Sequence, residues 1–505
     1  MKILTTIFTA LLLIGNQPRE EKKPLKPQLY VSNHENVLGT SLEFKIVSVS
    51  EVEVAKAEQA ALKEINRLSN IFSAYHSNSE FSQWMKSDLN KPIKVSKELF
   101  EMLSLFEQWK YQTNGALDPS AAVATKLWHE AALNQDIPSK AKLREAVSKM
   151  QAKHYLLNLA DLTATRLDQV PLVMNSFAKS YIINKACDAA LGTGNIENVV
   201  VNIGGDLVTK GNDTDLIYVT NPLENAENDA PLAKLLVKNK AVATSGNYRR
   251  GEQIGKNWYS HIIDPRTAKP VTEIIGATVI TENAVDAGAL ATAFNILTLK
   301  ESKELAKKIG AAYLIVTKGG KVITSENWSE YVVPNKEESV KEVEKSPYAE
   351  TQKFWDPKFE LVINFKFNAI EDNSHRPYAA IWVENEKRES VRNLALWYRK
   401  TNWIPDLRNW YRINGERFKA DKENYASVTG ATRNPGSYTI RWNGKDDKGN
   451  YVPQGKYTVI IETAKEHGTN EIIRQALDLK KAPVKVTNAG NVEVSAASFE
   501  FGKKK

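Results

Sequence analysis

Asn198-Val-Val-Val-Asn-Ile-Gly-Gly-Asp-Leu207 is the stretch on which the fold of this chain turns. Val199, Val200, Val201 and Ile203 make a short β-branched run that reads as a strand. It runs directly into two glycines and a carboxylate. Glycine allows backbone to approach a phosphate or a flat ligand where a Cβ would block it, although Gly-Gly-Asp alone serves equally well as a plain turn. Further on, Tyr259-Ser-His-Ile-Ile-Asp-Pro-Arg-Thr267 gathers a histidine, a carboxylate, an arginine and a hydroxyl around a proline that stiffens the turn.

Around these stretches the pattern mixes helix and strand. Ala61, Ile65, Leu68 and Phe72 recur at helical spacing, as do Leu99, Met102, Phe106 and Trp109. Leu216 to Thr220, Ala277 to Thr281 and Ala312 to Thr317 read as strands. The expected first domain is therefore α+β. Asn335 to Lys345 is densely charged and ends near Pro347, the mark of a linker or an exposed helix. Beyond it, Glu360 to Phe367 and Ala379 to Glu384 alternate with period two. Trp442-Asn-Gly-Lys-Asp-Asp-Lys-Gly449 supplies the corners of a hairpin. This second half is expected to be an all-β, immunoglobulin-like sandwich, with Trp382, Trp397, Trp403, Trp410 and Trp442 in core or cross-strand packing.

Met1-Lys2 followed by the apolar Ile3 to Ile14 reads as a secretory signal, too short to span a bilayer. The expected boundaries are a cleaved signal peptide at 1–17, a linker at 18–35, the first domain at 36–333, a charged linker at 334–358 and the sandwich at 359–502. The address is exported or periplasmic. Cys187 is the single cysteine, so no internal disulfide forms, and its apolar helical setting reads as packing. The net charge is +8, but the lysines are scattered among nearly as many carboxylates. No basic stripe with interleaved aromatics is present, so nucleic acid is not the expected partner. A solvated surface is the reading, with some benefit for attracting an anionic ligand.

Further landmarks fall in a fixed order: Leu38-Gly-Thr40, Phe72-Ser-Ala-Tyr75, Ser79-Glu-Phe-Ser82, Gly115-Ala-Leu-Asp-Pro119, Ala178-Lys179, Ala243-Thr-Ser-Gly-Asn-Tyr248 and Ala289-Leu-Ala-Thr-Ala293. With the two stretches above, they resemble the FAD:protein FMN transferases, the ApbE-type flavin transferases, over residues 36 to 330. The second half is similar to the uncharacterised periplasmic domains (DUF2271-like) found appended to that family. The resemblance implies magnesium-dependent transfer of FMN from FAD to a serine or threonine hydroxyl of a target protein, with release of AMP. The implied partner is an exported or membrane redox protein.

It also implies roles, carried over by motif. Leu38, Tyr75, Ala116, Leu117 and Asp118 would line the FAD site, with His261 and Ile262 at the flavin or diphosphate end. Lys179 would position phosphate oxygens. The Ser176 carbonyl and the Thr292 hydroxyl would hold the cation from opposite sides. The family's Asp-Leu-Gly-Gly-Ile-Ala-Lys-Gly pattern appears here as Val173-Met-Asn-Ser-Phe-Ala-Lys-Ser180, and its acidic metal ligand four residues before the threonine is Gly288. Asp286 is the expected substitute for that acid, with Lys179 and His261 as its catalytic companions and Asp206 as a nearby carboxylate. A non-catalytic flavin-binding or redox carrier is the alternative that Val173 and Gly288 favour. Ser427-Val-Thr-Gly-Ala-Thr432 resembles the acceptor motif of flavinylated proteins, with Ala426 where an acid is usual. Thr432 is thus a candidate FMN acceptor, and the chain's own C-terminal domain a candidate partner.

Overall fold

The computed structural model describes residues 26–224, 226–247, 250–333, 353–369, 376–421, 425, 427–466, 468–480 and 482–504. The signal peptide, the 18–25 part of the first linker and the 334–352 part of the charged linker lie outside the described residues.

The first domain is built on an eight-stranded antiparallel sheet. Its strands run in the order Gln28–Val37, Thr40–Ser48, Asn198–Ile203, Asp206–Gly211, Ala241–Gly246, Ile274–Thr281, Ala312–Thr317 and Val322–Thr324. Leu42, Phe44 and Ile46 alternate inward and are buried. Against them lies the helix Glu51–Phe72, which buries Val54, Ala57, Ala61, Ile65, Leu68 and Phe72 at steps of three and four. Ser50 caps that helix by accepting from the Glu53 amide. The helices Ala178–Leu191 and Ala284–Ala293 complete this core. The second of these is almost wholly small and buried, which lets its backbone approach the sheet closely. A second apolar cluster, including Val200, Leu207, Val242, Leu314 and Trp328, belongs to the same sheet. Cys187 is packed in the core, where burial pushes its thiol pKa up to about 12.

The second half folds as two sheets around one core. A four-stranded sheet runs Gly436–Trp442, Phe359–Phe367, Val494–Lys503, Val484–Asn488. A five-stranded sheet runs Thr429–Gly430, Ser390–Trp397, Tyr378–Asn385, Gly455–Ala464, Asn470–Leu479. Leu361, Ile363 and Phe365 of the first pack with Ile381, Val383, Val459 and Ile461 of the second.

Three expectations need correcting. Residues 28–35 are not a tether: Gln28–Val37 is a strand paired with Thr40–Ser48 from Gln28↔Ser48 to Val37↔Thr40. The described end of the charged linker belongs to the second domain, because Trp355 is buried against Trp442 and its backbone amide donates to the Val452 carbonyl. The second half is not all-β either. Arg408–Ala420 is a helix whose Trp410, Asn414 and Phe418 are buried, and Trp410 and Phe418 cluster with Ala380, Trp382, Leu396 and Ile460 of the five-stranded sheet. Trp410 is core packing, as expected, made between this helix and the sheet.

The halves are docked. The Asn33 amide donates to the Arg399 carbonyl, and Ser32 forms an isolated bridge with Lys400. The strand Gly436–Trp442 meets the loop at 226–229: the Glu227 amide donates to Thr439, and Asn228 exchanges two bonds with the Arg441 backbone. This covers a sheet edge that would otherwise be open to mispairing.

Candidate active site

Two tight turns form one wall of a large cleft. Leu38 and Gly39 (φ 50° and 77°) link Val37 to Thr40, and Gly204 and Gly205 (φ 59° and 96°) link Ile203 to Asp206. Positive φ at both central residues gives the type of two-residue hairpin turn that follows strand twist. The two turns touch: a Cβ on Gly204 would lie 2.7 Å from Thr40 Cγ2. Glycine is needed at 204 for space as well as for conformation.

From this wall the chain turns directly into charge. Asp206 is 8% exposed, accepts from the Ser180 hydroxyl at 3.0 Å and pairs with Lys179 Nζ at 3.5 Å. Burial raises its pKa above the ordinary aspartate value, opposed by Lys179 and Ser180. Lys179 and Ser180 lie in the first turn of the helix Ala178–Leu191, which no side chain caps. Such a helix end favours anions.

Facing the same cleft, the Thr292 hydroxyl donates to the Ser176 carbonyl at 3.2 Å. The two expected cation ligands are therefore brought together as neighbouring oxygens. Gly288 lies one helical turn before Thr292 and also lines the cleft. A Cβ on Gly288 would sit 2.2 Å from Ser180 Oγ and 3.3 Å from Phe177 Cβ. Gly288 and Ser180 thus fit each other: Ser180 occupies the space that a Cβ at 288 would meet, and its hydroxyl donates to Asp206.

Asp286 does not join them. The helix Ala284–Ala293 is capped by Asn283, whose side chain accepts from the Val285 and Asp286 amides. At about 100° per residue, position 286 is some 160° from 288 and 120° from 292, and Asp286 is not among the cleft residues. Burial alone raises its pKa. The acid in the cleft beside Lys179 is Asp206.

The remaining expected residues divide. Leu38, Tyr75, Ala116, Leu117, Asp118, Val173, His261 and Ile262 all line the cleft. Tyr75 is 79% exposed, and its hydroxyl accepts from Asn175 Nδ2 at 3.2 Å. Asp118 is occupied structurally: Lys110 Nζ is 2.6 Å from one oxygen, and the Ser120 amide donates to the other at 2.8 Å. His261 is fixed through Nδ1 to the Arg250 carbonyl at 3.0 Å, leaving Nε2 directed elsewhere. Surrounding protein lowers its pKa, and the charge of Arg250 acts in the same direction. Asp264 and Arg266 form a two-pronged pair at 2.9 Å, which locks the turn and reaches Glu301. Their role in the stretch is structural.

The cleft measures about 1920 Å³, roughly twice the upper end of ordinary small-ligand pockets of ~300–1000 Å³. Its far side is made by Glu35, Arg399 and Arg433, which sequence reasoning missed, together with residues of the Ser427–Thr432 motif that it singled out. Glu35 lies on the strand misread as a tether, while Arg399, Ser427, Thr429, Gly430, Ala431 and Arg433 come from the second domain. The Thr429–Gly430 strand pairs in parallel with Leu396 and Trp397. Arg433 stacks over the Trp397 ring at 4.4 Å and bonds Glu227 at 3.0 Å. The candidate acceptor Thr432 is 3% exposed, and its hydroxyl donates to Glu35.

Comparison with known proteins places the family and the fold. Residues 38–315 match the model of the ApbE family, and residues 360–496 match that of a "Predicted periplasmic protein (DUF2271)". A FAD:protein FMN transferase of Buchnera aphidicola subsp. Schizaphis graminum is 26% identical over 309 residues, covering 59% of this chain and 87% of that protein. The Vibrio cholerae FAD:protein FMN transferase is 24% identical over 335 residues, covering 65% and 96%. Among solved structures, the Thermotoga maritima ApbE protein superposes with a TM-score of 0.53 at 26% identity, covering 60% of this chain and 99% of its own. The flavin transferase ApbE of Vibrio cholerae has a TM-score of 0.51 at 19% identity, with the same coverage, and so speaks to fold.

Proposed function

Because this chain belongs to the ApbE family, we propose that it transfers FMN from FAD to a serine or threonine hydroxyl of an exported protein, with magnesium, releasing AMP. The acceptor oxygen attacks the FMN-side phosphorus of the FAD diphosphate. That forms an O–P bond and breaks the bond to the AMP phosphate, which leaves with the electron pair, while the hydroxyl proton passes to a base. The observation that carries this reading is the single cleft wall combining the Gly204–Gly205 turn, the Lys179–Asp206 pair and the adjacent Ser176 and Thr292 oxygens. Neutral oxygens of this kind suit a hard cation that takes its remaining ligands from phosphate and water. Among the described residues no group of three His, Cys, Asp or Glu side chains is poised to hold a metal, which fits a cation carried largely by the substrate diphosphate. That cation would supply charge neutralisation on the diphosphate. Lys179 would hold a phosphate oxygen, Asp206 would orient Lys179, and Tyr75 would offer an aromatic face to the flavin.

Thr432 is the candidate acceptor within the chain: Thr429, Gly430, Ala431 and Arg433 beside it line the cleft, while Thr432 itself is 3% exposed and bonded to Glu35, so modification in cis would require that contact to open. A periplasmic or exported address is supported by the family of the second domain. The test is AMP release from FAD by the purified chain: we expect release with magnesium and none with a chelator. FAD binding without AMP under either condition would favour the flavin-carrier reading.

A further inference from the structure

We propose that the second domain is a movable cover on the cleft, latched by a seam of ion pairs. It undocks as one body to open the side through which a protein acceptor enters, an inference that rests on the reading that the cleft takes FAD and a protein hydroxyl. The seam has two points of contact. At the first, Glu35 of the edge strand Gln28–Val37 lies 3.3 Å from Arg376 Nε and accepts from the Thr432 hydroxyl. Arg376 Nη2 also donates to Asn36 Oδ1 at 2.7 Å, and the Asn33 amide donates to the Arg399 carbonyl at 2.7 Å. At the second, Arg433 pairs with Glu227 at 3.0 Å, and Arg441 with Glu224 at 2.7 Å and Asp229 at 3.2 Å. The Glu227 amide donates to the Thr439 carbonyl at 2.8 Å. In each of these ion pairs the acid belongs to the first domain and the arginine to the second.

What the seam lacks is an apolar core. Among the described residues, each hydrophobic cluster is drawn from one domain alone. Polar contacts of this kind make relative domain motion the default, because separation rehydrates the charges and uncovers no apolar cluster. The seam nevertheless lies on the cleft, which Glu35, Glu224, Glu227, Asp229, Ala431 and Arg433 all line. The proposed donor side takes nothing from the second domain: Ser176, Lys179, Gly204, Gly205, Asp206 and Thr292 fall within residues 38–315, the span that matches the family model. Undocking therefore leaves the FAD side intact and changes only what else can reach it.

The test is amide hydrogen exchange in the full-length chain, with the Kd for FAD measured alongside. The Asn33, Glu227 and Arg441 amides donate across the seam, to the Arg399 carbonyl, the Thr439 carbonyl and Asn228 Oδ1, and so report undocking. Val201, buried in a strand paired on both sides, reports unfolding. Arg376→Gln leaves the largely buried Glu35 without its charged partner, and is expected to speed exchange at all three by about tenfold or more with Val201 unchanged. The double substitution Ser32→Cys, Lys400→Cys joins two residues that face each other in a bridge at the first contact. Its disulfide is expected to slow exchange at Glu227 and Arg441 of the second contact until it is reduced. FAD should bind the wild-type, Arg376→Gln and disulfide-locked chains with a Kd equal within about twofold. Seam exchange that rises only together with Val201, or a lock that leaves Glu227 and Arg441 unaffected, overturns the movable cover. A Kd for FAD that follows the seam overturns the acceptor-side assignment, because the second domain would then complete the donor site. No FAD binding by any form removes the transfer reading and the acceptor role with it, while the exchange data still decide whether the domain undocks.

Discussion

The two walls of the cleft are built on different principles. The proposed donor wall, with Lys179, Asp206, Ser176 and Thr292, comes from elements buried in a single core, and its polar groups are fixed by contacts within one domain. The proposed acceptor wall is assembled between domains: Glu35 comes from an edge strand, and Gly430, Ala431 and Arg433 from an edge of the second half. Precise geometry for a diphosphate needs the first kind of support. The opposite wall is made by docking instead, with charge pairs and edge hydrogen bonds in place of a packed core.

The contrast can be broken at several points. The largest effect is expected on the donor wall. Lys179→Ala should lower FMN transfer about 100- to 1000-fold, corresponding to roughly 3–4 kcal/mol of lost charge stabilisation, as measured by AMP release at saturating FAD. Gly288→Asp should come next, on stability: its Cβ would meet Ser180 Oγ at 2.2 Å, an overpacking that costs ~1–3 kcal/mol. Combined with Ser180→Gly, much of that cost should disappear in urea denaturation, and failure to recover would contradict the fit between the two positions.

On the acceptor wall, Arg433→Ala removes the Trp397 stacking and the Glu227 pair. Docking should weaken by about 1–2 kcal/mol, seen as faster hydrogen exchange in the strand Gln28–Val37. Asp206→Asn should separate stability from activity. The folded pKa of Asp206 is raised, so the native state binds more protons than the unfolded state above the ordinary aspartate value of 3.8. Stability contributed by this group therefore falls as pH rises from there through the folded value. The asparagine variant should lose that slope and gain stability at neutral pH while losing transfer. The smallest effect belongs to Asp286→Ala. Lying off the cleft, it should change transfer less than about twofold and stability by under ~0.5 kcal/mol, and a large loss of metal-dependent activity would restore it as a ligand.

The donor wall was legible in the sequence because its chemistry sits in contiguous pieces: glycines after a strand, a lysine opening a helix, a threonine within an alanine-rich one. Asp286 lies off the cleft because spacing along a helix sets which face a residue occupies, and two residues from Gly288 is the wrong interval. The acceptor wall was legible only as the Ser427–Thr432 motif. Gln28 to Val37 is polar because it is an edge strand with its charged residues in contacts with a helix and with the other domain: His34 bonds Glu58, and Glu35 pairs with Arg376. Those partners are remote in sequence, so the strand carries no apolar alternation to announce it. The helix Arg408–Ala420 was overlooked for a related reason. Trp410, Asn414 and Phe418 do follow helical spacing, but a buried asparagine, whose side chain meets Asn393, interrupts the apolar stripe.

The most direct measurement is the intact mass of the full-length chain after incubation with FAD and magnesium, compared between wild type and Thr432→Ala. The account predicts a gain of one FMN on wild type, with AMP released in equal amount, and no gain on the variant. An unmodified wild-type chain with FAD left intact would contradict it.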